Sequence, residues 1–457
     1  MAYEALEALN KKITERQAAI IASIRESVRI PSVRGEAAPG APYGPGPKAA
    51  LEHALNLARR LGLRTGCSGD RVGWAEYGDG EEMAAVLGHL DVVPAGEGWT
   101  HPPFGGEIHD GVLYGRGVVD DKGPTIGAIY GLAAIRDLGL PIGRRIRVLF
   151  GTDEECGCSC VAHYIQAGEE MPAIGFTPDA EYPFIFFEKG ISQFTLGGRV
   201  QDAGDGRVLS LTGGEAANVV TPRCTLKLRG DFPAQAAPGL TLRREGDTTL
   251  LEAVGRSAHG STPEKGDNAA VRLFAALSAA DFGGDFQRLA DFVRERLAGE
   301  TDGRKLGVYY ADEETGETTV NLGLISYDGE TCSFTLDIRY PKNCDPQAVS
   351  RQVQAAAEAY GFSVLEEKRL PMLYVPKDSE LARKLTSVYR AYTGDAAPPL
   401  AIGGGTYAKA FPNMAAFGPV FPGEPEVIHQ PDERADIGRL LESVRMTAAA
   451  MYEIACK

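Results

Sequence analysis

Apolar side chains recur at helical spacing from residue 3 to residue 30, in "YEALEALNKKITERQAAIIASIRESVRI", and Pro31 closes the run. That pattern predicts an amphipathic helix at the start of the chain. The Gly/Pro-rich stretch "RGEAAPGAPYGPGP" separates it from a second helix at "KAALEHALNLARRLGL". Beyond that the period shortens. "VGWAEYGDG" reads as a hairpin strand and "EMAAVLGHLDVV" as a short apolar strand. Residues 124–138 return to helical spacing with small apolar side chains, and "RRIRVLF" is the next strand. A helix is expected at "CGCSCVAHYIQAG" and a further strand at "AIGFTPDAEYP". Strands alternating with helices predict an α/β layer with a mixed, mostly parallel sheet flanked by helices.

The style changes between about residues 188 and 380. Alternating strands ("SQFTLGGRV", "RCTLKLRGDF", "TTVNLGLISYDG", "CSFTLDIRY") mix there with amphipathic helices around 268–298 and 346–360. This predicts an inserted α+β domain at 188–380, with residues 1–187 and 381–457 forming one discontinuous α/β domain. The α/β style resumes at "SELARKLTSVYRAYTG" and ends in the helix "DIGRLLESVRMTAAAMYEIAC". No exact internal repeat is visible.

Composition narrows the choices. A chain of 457 residues exceeds one ordinary hydrophobic core, in keeping with two domains. At 44% hydrophobic and 24% charged it has the composition of a soluble globular protein. No window approaches the roughly 18 apolar residues of a membrane span, and the charged N-terminus has no signal-peptide core. Eight cysteines in this length do not make a disulfide scaffold, so a reducing, cytoplasmic setting is expected. The net charge of −15 argues against nucleic acid as a partner, because neutralising phosphates needs a basic surface.

The ends of the apolar segments carry the chemistry. "LGHLDVV" ends with His89 and Asp91, "GVVDDKG" with Asp120 and Asp121, and "LFGTDEECGC" with Glu154 and Glu155. "FTPDAEYP" adds Asp179, and "EVIHQPDE" offers His429. Each alone reads as a turn or a helix cap. In a parallel sheet, however, the strand ends share an edge where sites gather, so these groups can converge. Imidazole nitrogens mixed with carboxylate oxygens suit a divalent metal. Other groups carry less. Cys156, Cys158 and Cys160 lack a second cysteine pair, and His101 and His109 flank a polar loop and are expected to face solvent. "GRGVVDDKG" lacks the Lys-Ser/Thr ending of a phosphate loop.

The ordered set "GHLDVVPAGEGW", "YGRGVVDDKG", "GTDEECG", "TPDAEYP" and "GRSAHGSTP" resembles the zinc aminoacylase/carboxypeptidase superfamily of metallopeptidases. Within it the chain is most similar to PepV-type dipeptidases, the Xaa-His dipeptidase or carnosinase-like enzymes, and the similarity covers nearly the whole chain. The resemblance implies a site for two divalent metal ions, with zinc, manganese and cobalt all compatible with the ligands. His89 and Asp179 would hold one metal, His429 and Glu155 the other, and Asp120 would bridge them. Asp91 would orient the His89 ring. Glu154 would be the general base beside a metal-bridging hydroxide, and Asp120–Asp121 would be a cis peptide. In the insert, His259 would be the lid histidine that stabilises the tetrahedral oxyanion. Asn218, Arg339 and the run "IGGGTYA", with Gly404 and Thr406, would hold the substrate.

The activity implied is hydrolysis of dipeptides with a free amino end, by a monomer whose own lid supplies the histidine. The alternative is an N-acyl amino acid deacylase of the acetylornithine or succinyl-diaminopimelate type, which shares the metal site. The size of the insert favours the dipeptidase, because the dimeric relatives use a smaller lid.

Overall fold

The structure, a computed structural model, describes residues 3–200, 207–230, 239–277 and 280–456. It divides into two compact units. The first runs to Phe187 and takes up Leu373–Leu400 and the chain from Gly405 onward. The second is Glu188–Met372 together with Ala401–Gly404. The chain thus returns to the first unit at Leu373, ahead of the 381 read from the pattern, because Leu373–Tyr374 already pairs as a strand of the first unit's sheet.

The first unit opens with helices α1 (Tyr3–Val28) and α2 (Pro45–Arg60), then strands β1 (Arg64–Ser68), β2 (Val72–Tyr77) and β3 (Met83–His89). A small hairpin, β4 (Glu107–His109) and β5 (Val112–Tyr114), precedes α3 (Lys122–Asp137). Next come β6 (Arg145–Gly151), α4 (Ser159–Gln166) and β7 (Ile174–Thr177). The main sheet has the order β1-β2-β6-β3-β7 and then Met414–Ala416. Its centre is parallel: β3 pairs with β6 and β7, and Met414–Ala416 pairs with β7. The β1-β2 hairpin adds an antiparallel edge against β6. All seven residues of β3 are buried, as expected of a strand covered on both faces. The cover on one side is α3, which packs against α1 and the final helix, Ile437–Ala455.

Helix α4 is shorter than its pattern suggests. It starts at Ser159, and Cys158 caps it in a left-handed conformation at φ 58°. Cys156 therefore lies in the turn before the helix, and among the described residues no cysteine forms a disulfide. No described helix is long and apolar enough to cross a membrane.

The second unit is built on an eight-stranded antiparallel sheet. Its order is Leu240–Glu245, Thr248–Val254, Arg223–Arg229, Val208–Gly213, Thr319–Tyr327, Thr331–Tyr340, Gly190–Arg199 and Ser363–Leu370. Along Arg223–Arg229 every second residue is buried, the alternation of a sheet with one covered face. Helices Ala269–Ala276, Gly284–Arg296 and Pro346–Ala359 supply the cover, with Phe274, Phe286, Phe292 and Phe334 at zero exposure between the layers.

Candidate metal centre

His89 is the last residue of β3, Glu154 and Glu155 follow β6, and Asp179 follows β7, so three neighbouring parallel strands deliver their polar ends to one edge. Asp120 arrives at the start of α3 through the Asp120–Asp121 peptide, which is cis. His429 comes from the loop before Arg434–Asp436 and takes a left-handed backbone at φ 62°. Non-glycine residues seldom adopt that conformation, and it is concentrated at functional sites.

One carboxylate links the two histidines. Asp120 Oδ1 lies 2.9 Å from His89 Nε2, and Asp120 Oδ2 lies 2.9 Å from His429 Nε2. Asp179 Oδ2 is 3.5 Å from His89 Nε2, and Glu155 Oε1 is 3.2 Å from His429 Nε2. A ligand atom from each of His89, Asp120 and Glu155 lies within 4.8 Å of the others. The five candidate ligands therefore sort into a His89–Asp179 side and a His429–Glu155 side, with Asp120 between them.

The His89 ring is oriented from behind. Its Nδ1 lies 3.0 Å from the backbone carbonyl of Asp91 and 3.6 Å from that residue's carboxylate. With Nδ1–H donating to the carbonyl, Nε2 keeps its lone pair for the centre. The Asp91 carboxylate also braces the glutamate turn, since Oδ1 accepts the Glu154 N–H and Oδ2 the Glu155 N–H, each at 3.1 Å. The ring thus leans on the main chain of Asp91, while its side chain fixes the turn bearing both glutamates. Asp121 braces the same strand end, accepting the His89 N–H at 3.1 Å and the Thr125 hydroxyl at 2.9 Å. A Cβ on Gly88 would stand 2.0 Å from Thr125 Oγ1, so only glycine leaves room for that bond.

Titration follows from this crowding. Burial pushes the Glu154 carboxyl well above its ordinary range, and Asp179, Glu155 and Asp120 add to the rise. Burial likewise raises Glu155 and Asp179. For His89 burial acts downward, but Asp179, Asp120 and Asp91 outweigh it and hold the imidazolium well above the usual range. His429, where burial is overcome by Asp120 and Glu155, rises to about 10. Asp120 goes the other way, since both imidazoles draw it down against burial. A pocket so rich in carboxylates needs compensating positive charge. Two imidazoles that each present Nε2 to a shared carboxylate suit borderline divalent cations, so the donor set fits a metal pair.

Two further residues support Asp120 and are not evident as site residues in the sequence. Glu433 is fully buried, and its Oε1 accepts the N–H groups of Gly117, Val119 and Asp120 at 3.1, 3.0 and 3.3 Å. Its Oε2 accepts from Arg116 Nη1 at 2.9 Å. The available signal is the position of Glu433 four residues after His429 in "EVIHQPDE".

The candidates from the second unit form their own group. Val219 and His259 pair in an isolated bridge, and the Gly260 N–H donates to the Asn218 carbonyl at 2.7 Å, so Asn218 and His259 are neighbours. Ser261 Oγ lies 2.6 Å from His259 Nδ1, and the Ser261 N–H donates to the same nitrogen at 3.4 Å. The neutral ring therefore carries its proton on Nε2. Gly403 passes close by: a Cβ there would lie 2.5 Å from the Ser261 Cβ. The Gly403 carbonyl accepts from Arg339 Nη1 at 2.7 Å. Arg339 is buried, and its Nε donates to Asp337 Oδ1 at 2.8 Å. Gly404 is half-buried beside Gly403, and Thr406, in the first unit, caps the short helix Tyr407–Ala410 by accepting the Ala408 N–H at 3.2 Å.

Comparison with known proteins gives the family and the fold. The profile of Peptidase family M20/M25/M40 matches residues 85–453. YtjP of Bacillus subtilis (strain 168), provisionally named a dipeptidase, is 35% identical over 461 residues, 97% of this chain and 99% of its own. Human carnosine dipeptidase 1 superposes with a TM-score of 0.59 at 17% identity, covering 98% of each chain. YXEP of Bacillus subtilis, described as a dinuclear metal-binding peptidase, does so with a TM-score of 0.56 at 11% identity, covering 97% of this chain and 99% of its own. At these identities the two structures establish the likeness of fold.

Proposed function

Because the chain belongs to Peptidase family M20/M25/M40, we propose that it is a two-metal dipeptidase acting on short peptides with a free N-terminus. The observation that carries this reading is the Asp120 carboxylate, with one oxygen on each of two histidines at 2.9 Å. His89 and Asp179 would hold one divalent ion, His429 and Glu155 the second, with Asp120 shared. Zinc suits these ligands, and manganese and cobalt fit the same donor set. Such ions, when bound, polarise a scissile carbonyl and acidify water at neutral pH.

The remaining steps belong to the protein. Glu154 stands in the turn held by Asp91, next to Glu155 but outside the imidazole contacts. With its proton affinity raised by burial, it takes a proton from the attacking water and passes it to the leaving amine. His259, its Nδ1 occupied by Ser261, offers Nε2–H to the oxyanion. Asn218, Arg339, Gly404 and Thr406 are assigned to the substrate, with Arg339 held in one orientation by Asp337 and the Gly403 carbonyl.

The test is a substrate panel on metal-stripped protein reconstituted with zinc, manganese or cobalt. Dipeptides should be cleaved, while N-acetylated amino acids and peptides blocked at the amino end should not. Turnover of N-acyl amino acids alone would replace this reading with a deacylase.

A further inference from the structure

A second set of potential ligands stands apart from the centre around Asp120. Glu107 and His109 are two residues apart in β4, so their side chains leave the same face of the strand. Tyr114 lies opposite Glu107 on β5, and the His101 ring packs on it with centroids 4.2 Å apart. The His101 and His109 rings stack at 4.3 Å with 27° between their planes. Glu107 Oε2 lies 2.9 Å from His109 Nε2 and 3.6 Å from His101 Nδ1. One ligand atom from each of the three residues lies within 4.8 Å of the other two.

We propose that His101, Glu107 and His109 form a surface site for a divalent transition-metal ion of the zinc class. Two imidazoles and one carboxylate are a donor set that zinc and its neighbours accept, with the fourth position left to water. Tetrahedral bonds of about 2.0–2.2 Å place ligand atoms roughly 3.3–3.5 Å apart, a separation that the two carboxylate–imidazole distances bracket. The stacked rings must rotate to converge their lone pairs. The side chains of His101, Glu107 and His109 are 26%, 43% and 48% exposed, so an ion reaches all three from solvent.

The backbone beneath is fixed. Asp432 Oδ1 accepts the N–H groups of Thr100 and His101 at 2.8 and 3.2 Å, which pins the first ligand's loop. The strand Arg434–Asp436 pairs with β5 and holds the hairpin bearing the other two. An ordinary surface contact between a carboxylate and two histidines is the competing description, and stoichiometry separates the two.

Full-length, metal-stripped protein is titrated with cobalt(II) and followed by its visible absorption and by equilibrium dialysis. The wild type should bind one more equivalent at saturation than the His101→Gln/His109→Gln double variant. The same difference of one should persist when both are compared in an Asp120→Asn background, which separates this site from the centre proposed above. Glu107→Gln, exposed and close in shape, should weaken that equivalent about tenfold or more through loss of the anionic ligand. Equal stoichiometry with and without the histidines, or unchanged affinity in Glu107→Gln, overturns the proposal.

Discussion

Glu433 holds Asp120 through the main chain: its buried carboxylate accepts the Asp120 N–H at 3.3 Å, together with those of Gly117 and Val119. A residue from the loop of one candidate ligand thus fixes the backbone of another. The same carboxylate neutralises Arg116, which is only 1% exposed.

Glu433→Gln should therefore weaken metal retention without removing a ligand. An amide oxygen can accept fewer of these bonds, and Arg116 is left as an uncompensated buried cation, a change that costs about 3–5 kcal/mol. A lowered denaturation midpoint together with faster loss of metal on dialysis is the expected pair of results. Wild-type stability would mean that the Arg116–Glu433 pair contributes little.

The adjacent glutamates should separate cleanly. Glu154→Gln removes only the proton carrier, so kcat should fall by about 10²–10⁴ with metal content unchanged. Glu155→Gln should lower metal content, because its carboxylate is the one within 3.2 Å of His429. Retention of more than about a tenth of wild-type kcat in Glu154→Gln would rule out the general-base assignment.

Protons should leave as metal enters. In the metal-free protein His89 and His429 both have raised proton affinities, His429 to about 10. Their protonation favours the metal-free fold fully below the ordinary histidine value, and this advantage fades as the pH rises through about 10. Metal must displace these protons, so apparent affinity should climb with pH across the neutral range. A pH-indicator titration with zinc near pH 7 should register about two protons released, one from each imidazole. Binding without proton release would exclude these histidines as ligands.

The candidate ligands are more legible in the sequence than the sheet edges of the second unit. His89, Glu155 and Asp179 stand out because each follows an apolar strand and parallel pairing brings those strand ends together, whereas Asp120 and His429 also follow apolar residues but arrive from a helix start and a loop. Glu433 is hidden because it works by accepting backbone N–H groups, which leaves no pattern of residue types. The outer strands Leu240–Glu245 and Ser363–Leu370 escape the pattern for a different reason. "LTLRRE" and "SVLEEKRL" lie at the two edges of their sheet and are largely exposed, with the charged side chains that protect an edge from further pairing. Helix α4 is overextended by its pattern because "CGC" continues the apolar composition, whereas Cys158 takes a left-handed conformation that stops a helix there.

If the chain acts as a monomer, His259 serves the active site of its own molecule. His259→Ala should then depress kcat strongly with metal content unchanged. Mixing it with inactive Glu154→Gln protein should restore nothing. Recovery toward about a quarter of normal activity would show that subunits exchange this histidine and that the working form is a dimer.

Arg339 offers the sharpest test of substrate reading, because its buried guanidinium is held by the protein at all three nitrogens, which leaves only the second N–H of Nη1 and of Nη2 for a substrate. Nε and Nη2 face the two oxygens of Asp337 at 2.8 and 3.4 Å, and Nη1 donates to the Gly403 carbonyl at 2.7 Å. Asp337 in turn accepts from Gln193 at 2.9 Å, so the acceptor is itself held in place. A lysine keeps the charge but cannot satisfy both Asp337 oxygens and the Gly403 carbonyl from one ammonium while also presenting N–H groups to a substrate. Arg339→Lys should consequently lower kcat/KM for dipeptides well beyond what a retained charge would suggest. Some of that loss could come from a disturbed Asp337 or Gly403, and comparing two substrates removes it. A dipeptide with a free C-terminal carboxylate and its C-terminal amide meet the same altered scaffold, but only the acid loses a charge-assisted partner. The substitution should therefore cost the acid about tenfold or more relative to the amide, in line with the roughly 1.5–3 kcal/mol of a hydrogen bond to a charged group. An equal loss for both would show that Arg339 shapes the second unit without reading the carboxylate.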